Sequence, residues 1–162
     1  MGIIKKIKKA IWTKKMLKTA QNNSRKKKMC SLANANTVAV LYFYTDENHA
    51  LIGKFLQNLK KMYENLDITS IKMIDKKVPK LSKSASEAYK KELEKNVALP
   101  FDVLIHLDMD ENPNTLLFAN ASQAKFKIGF SKENWNELYD FVIKSDSIVK
   151  FMEILQKYAS NF

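Results

Sequence analysis

From Val38 onward the chain switches repeatedly between two spacings of apolar residues. Val38-Ala39-Val40-Leu41-Tyr42-Phe43-Tyr44 is an unbroken apolar run, as a parallel strand buried on both faces requires. Thr45 and Asp46 are capping residues, and Leu51, Phe55, Leu59 and Met62 follow at helical spacing. Ile68 to Ile74 reads as a second strand. Pro79 marks a loop, and Ser82 or Ser84 caps a charged helix reaching Asn96. Pro100 precedes a third strand, Phe101-Asp102-Val103-Leu104-Ile105-His106-Leu107. Asn112-Pro113-Asn114 is turn chemistry, and a short helix covers Thr115 to Ala121. Phe126 to Phe130 and Leu138 to Ile143 are further short strands. Ser145 or Asp146 caps a last helix that buries Ile148, Phe151, Met152, Leu155 and Tyr158.

Strands alternating with helices predict an α/β fold. The expected architecture is a single open, mostly parallel, Rossmann-like sheet of about five strands, flanked by helices and joined by right-handed crossovers. A basic helical arm precedes it. Over residues 3–18, Ile3, Ile4, Ile7, Ala10 and Ile11 share one helical face, and Lys5, Lys6, Lys8, Lys9 and Lys15 lie away from it. The stripe degrades after Ile11, where Lys14 and Lys18 fall on it and Trp12 falls opposite. Gln21-Asn22-Asn23-Ser24 breaks the pattern, Arg25-Lys26-Lys27-Lys28 follows, and the small residues up to Asn36 read as linker. The chain therefore divides into an arm and linker, 1–36, and an α/β domain, 37–162.

Charge sharpens that division. The net charge is +11, and the first 28 residues carry eleven cations with no Asp or Glu before Asp46. The rest of the chain is neutral, its cations matching its 17 acids. Segregation of this kind points to a polyanionic partner, either nucleic acid or an anionic membrane face. No apolar run approaches the roughly 18 residues that span a bilayer, and no apolar segment of a signal peptide follows the basic start. The expected location is the cytoplasm, free or at the inner face of the membrane. Cys30, the sole cysteine, permits no internal disulfide and reads as an inert linker residue. His49 and His106 lack metal-site spacing, and no metal is expected.

Only Gly2, Gly53 and Gly129 exist, so neither a dinucleotide fingerprint nor a phosphate-cradling P-loop can be built. Tyr44-Thr45-Asp46-Glu47 after the first strand repels phosphate. No cofactor is expected. At the carboxyl ends of the strands stand Asp46, Asp75, His106, Asp108 and Asp110. Asp108, Asp110 and Glu111 are a cation-binding cluster or, more simply, a solvated loop. His106 with Asp108 fits a general base, or a satisfied histidine at a strand end. Ser122 lacks a nucleophile elbow. Lys125 and Lys127 alternate with Phe126 and Ile128, which predicts an edge strand with a basic face, protective against aggregation or in contact with phosphate.

The runs Phe101 to Leu107, Leu117 to Phe130, Tyr139 to Ile143 and Phe151 to Tyr158 resemble an uncharacterised family of small Bacteroidota proteins. The resemblance covers residues 38–160 and implies a cytoplasmic α/β protein with no assigned activity. A fainter similarity is to the N-terminal half of heptosyltransferase-type glycosyltransferases, carried by the Asp102 strand and Ala124-Lys125-Phe126-Lys127-Ile128-Gly129-Phe130. Those enzymes bind sugar nucleotide through a second domain. A chain ending at Phe162 is expected to share the fold without the transferase activity.

The leading expectation is a non-enzymatic binding protein, for which no small-molecule substrate is identified. Its arm (Lys5, Lys6, Lys8, Lys9, Lys14, Lys15, Lys18, Arg25, Lys26, Lys27 and Lys28) would contact RNA, such as ribosomal RNA. One alternative is a peripheral membrane protein in which Ile3, Ile4, Ile7, Ile11 and Trp12 enter an anionic interface. Others are a protein groove that takes the same apolar face, and a degenerate glycosyltransferase-like fold without activity.

Overall fold

The computed structural model describes residues 14, 15, 18, 28–74, 82–108, 112–130 and 138–159. Five strands form one sheet: β1 (Thr37–Phe43), β2 (Asp67–Met73), β3 (Val103–His106), β4 (Phe126–Phe130) and β5 (Phe141–Ile143). Their spatial order is β2-β1-β3-β4-β5, and every pairing is parallel. Four helices flank it: α1 (His49–Met62), α2 (Lys83–Ala98), α3 (Pro113–Ala121) and α4 (Ile148–Ala159).

The chain moves outward from β1 to β2, then crosses back over β1 to β3. Right-handed crossovers place helices on opposite faces when the direction reverses. Accordingly α1 and α4 cover one face, with Ile52, Phe55, Leu59, Phe151 and Leu155 against Val38, Val40, Val103, Ile105 and Ile128. Helices α2 and α3 cover the other, with Leu93, Val97, Leu116 and Phe118 against Ala39, Leu41, Ile71 and Leu104. Strands buried on both faces must be apolar throughout, and β3 is buried at all four positions.

Several boundaries differ from the sequence reading for local reasons. Helix α3 starts at Pro113, because proline suits a first helical turn that needs no N–H. The strand expected over Leu138 to Ile143 is confined to Phe141–Ile143, since Asp140 exchanges backbone and side-chain bonds with Lys127 before β5 begins. Ser82 caps α2 by accepting from the Ala85 amide. The cap of α4 is Ser147, whose hydroxyl accepts from the Lys150 amide, rather than Ser145 or Asp146. Tyr158, expected on a buried face, is exposed at the end of its helix.

The stretch up to Asn36, expected as linker, packs on the domain. Leu32 sits in the core within a short 3-10 turn, Leu32–Asn34, and Ser31 caps that turn. Lysines 125 and 127 were expected on an edge. Lys127 lies instead on β4, an interior strand between β3 and β5, and Lys125 immediately precedes it. The edges are β2 and β5. Among the described residues no helix is long and apolar enough to cross a membrane.

Candidate functional site

The carboxyl ends of β1 and β3 are where consecutive connections leave the sheet in opposite directions, and such a switch point opens a crevice. A cleft of about 240 Å³ is found there, lined by Phe43, Thr45, Glu47, Asn48, Leu51, Leu107, Asp108 and Ile148. Its β1 side is a closed turn. The Thr45 amide donates to Asn48 Oδ1 (3.1 Å), the Asn48 amide returns a bond to Thr45 Oγ1 (3.2 Å), and Asn48 Nδ2 donates to the Phe43 carbonyl (2.8 Å). Thr45 and Asn48 together therefore shape the start of α1. Asp46 stays exposed and accepts from the Tyr44 hydroxyl.

Asp108 forms the inner wall on the β3 side. Its Oδ2 accepts from the Asn112 amide (3.1 Å) and from the Thr115 hydroxyl. Asn112 Oδ1 then accepts from the Asn114 amide (2.9 Å). The carboxylate thus holds the start of α3, as an acidic side chain beside the positive end of a helix does. Asp75, Asp110 and Glu111 lie outside the described residues. Among the described residues no cluster of three or more His, Cys, Asp or Glu has the makings of a metal site.

Behind Asp108, on the same face of β3, His106 is 1% exposed. Its Nδ1 is 2.6 Å from the Tyr139 hydroxyl. Its Nε2 lies 3.9 Å from Asp108 Oδ2 and has no hydrogen-bond partner among the described residues. Burial pushes the imidazole down to about 4, against the opposing attraction of the Asp108 carboxylate. The ring is therefore neutral at pH 7. Nδ1 and the Tyr139 hydroxyl share one hydrogen bond, and Nε2 faces Asp108. Gly129 makes room for this arrangement. A Cβ there would collide with the Tyr139 ring. Nothing in the spacing of the sequence foretold that Tyr139 would reach back across β4.

Lys127 is 2% exposed. Its Nζ donates to the carbonyls of Ala119 (2.6 Å) and Asn120 (3.1 Å), the last turn of α3, where a cation meets the negative end of the helix. Lys125 pairs with Asp102 at 2.6 Å. Partial burial pushes the Asp102 carboxyl up, but the bonds from Lys125 and the amides of Asn36 and Thr37 outweigh it and hold the group below its ordinary value. The basic strand expected from Lys125 and Lys127 is thus corrected. One lysine caps a helix, and the other fastens the start of β4 to Asp102 at the start of β3. Ser122 is buried and accepts from the Ala124 amide. Cys30 is half-buried, and burial raises its thiol pKa.

In the arm, Lys14, Lys15 and Lys18 are helical and exposed. Lys15 Nζ meets Glu94 of α2 at 2.9 Å. The Lys28 amide donates to the Lys125 carbonyl, which joins the arm to the amino ends of the strands. Ile3, Ile4, Lys5, Lys6, Ile7, Lys8, Lys9, Ile11, Trp12, Arg25, Lys26 and Lys27 lie outside the described residues.

Fold and site together define a doubly wound, all-parallel α/β domain with a crevice at its switch point and a basic segment joined at the opposite end. The chain belongs to DUF6913, a family of unknown function, whose model matches residues 8–161. No curated protein matches it.

Proposed function

We propose that this protein is a non-enzymatic binding module whose basic N-terminal segment contacts RNA. The observation that carries the reading is the segregation of charge: the net +11 resides in the first 28 residues, ahead of a neutral domain. A polyanion releases counterions when such a segment binds, so the attraction is strong and independent of sequence. Three described lysines of this segment, Lys14, Lys15 and Lys18, are helical and solvent-exposed.

The domain itself supports binding over catalysis. Three groups with catalytic potential have structural work: Asp108 holds the start of α3, Lys127 holds its end, and Asp102 ties two strands together. A ribosomal surface fits the reading as the source of RNA, and the cytoplasm as the location.

The test is fluorescence anisotropy of a labelled single-stranded RNA with the full chain. Replacing Arg25, Lys26, Lys27 and Lys28 by glutamine is expected to weaken binding at least tenfold. Unchanged affinity in that variant, or flotation with anionic vesicles in the absence of any RNA binding, overturns the reading and favours the membrane.

A further inference from the structure

We infer a second site, separate from the arm: the crevice between the ends of β1 and β3 takes a small organic cation, an alkylammonium group carried on an apolar body. Four observations carry this. The crevice sits where the topology of an open parallel sheet places ligands. Its volume of about 240 Å³ lies just below the roughly 300–1,000 Å³ of drug-sized ligand pockets and suits a small group. Phe43, Leu51, Leu107 and Ile148 supply an apolar lining, and the charged side chains on it are Glu47 and Asp108. Among the described residues no lysine, arginine or histidine lines it.

The start of α1 does not convert the crevice into an anion site. The Asn48 amide is taken by Thr45 Oγ1, and the His49 amide by the Thr45 carbonyl. Behind the wall, the buried Nε2 of His106 lacks a partner among the described residues and faces Asp108 at 3.9 Å. The carboxylate end of the sheet thus complements the lysines at its amino end. Asp46, Glu47 and Asp108 stand at one end, Lys28 and Lys125 at the other. A cation in the crevice and a polyanion on the arm do not compete.

Butylammonium is a suitable probe and butyrate its control, each titrated into the 15N-labelled full chain and followed by NMR. Butylammonium is expected to shift the amide signals of residues 43–51 and 107–108 saturably, together with the ring signals of His106. Butyrate is expected to leave them in place. Glu47→Gln should weaken butylammonium binding about threefold, as loss of an exposed charge pair does. Leu51→Trp should fill the crevice and abolish binding, while RNA affinity stays at the wild-type value. No saturable shift with butylammonium, an equal response to butyrate, or wild-type affinity in both variants overturns the assignment.

Discussion

Nδ1 of His106 and the hydroxyl of Tyr139 stand 2.6 Å apart, fully enclosed, and bridge β3 to the segment leading into β5. This bond ties the outermost strand to the middle of the sheet by a route independent of the β4–β5 ladder. Because burial pushes the imidazole pKa from 6.5 to about 4, the unfolded chain takes up a proton below pH 6.5 that the folded chain refuses. Stability is therefore full above that pH and falls as pH drops toward 4. The loss is roughly 3 kcal/mol if the whole shift is expressed. Urea unfolding of wild type and His106→Leu between pH 7 and pH 5 checks this, with a distinctly shallower pH dependence expected in the variant.

Gly129→Ala is expected to destabilise the domain by about 2 kcal/mol, since the added methyl meets the Tyr139 ring in a packed layer. Tyr139→Phe keeps the ring but strips Nδ1 of its partner, at a cost of about 1–3 kcal/mol. If the collision is the cause of the first effect, Gly129→Ala in a Tyr139→Ala background costs much less than it does alone. Chemical denaturation of the single and double variants measures the coupling.

Lys127→Met retains length and loses the charge. The carbonyls of Ala119 and Asn120 then lack the donor that caps them, and a loss of about 2 kcal/mol is expected. Hydrogen exchange of the last turn of α3 should quicken, whereas RNA affinity should not change. A drop in RNA affinity with stability intact would instead place Lys127 at the nucleic-acid surface.

Much of the architecture was legible because buried parallel strands leave a plain mark. The runs beginning at Val38, Ile68, Phe101 and Phe126 each became a strand of the sheet. The location of the crevice follows from chain order alone, and Asp108 was singled out at a strand end. The roles of Lys125 and Lys127 were not legible. Alternation of lysine with apolar residues has the same appearance on an exposed edge and on an interior strand whose lysine reaches a helix end. What decides between them is the position of β5, and the strand expected over Leu138 to Ile143 did not show that it would pair on the outer side of β4. The contacts of Tyr139 were hidden for a related reason. They connect residues 33 positions apart through a glycine that the sequence alone does not distinguish from a turn glycine. The Thr45–Asn48 pairing was half visible, as Thr45 was marked for capping and its partner was not.

The most direct test of the account is the salt dependence of RNA binding by the full chain. Contact between about five arm cations and single-stranded RNA gives a log–log slope near −3.5, or roughly a hundredfold loss of affinity between about 50 and 200 mM salt. That slope is expected to fall toward zero when the cations of residues 1–28 are replaced by glutamine. A wild-type slope near zero, or a steep slope that survives the replacement, contradicts the proposal that the arm holds the polyanion.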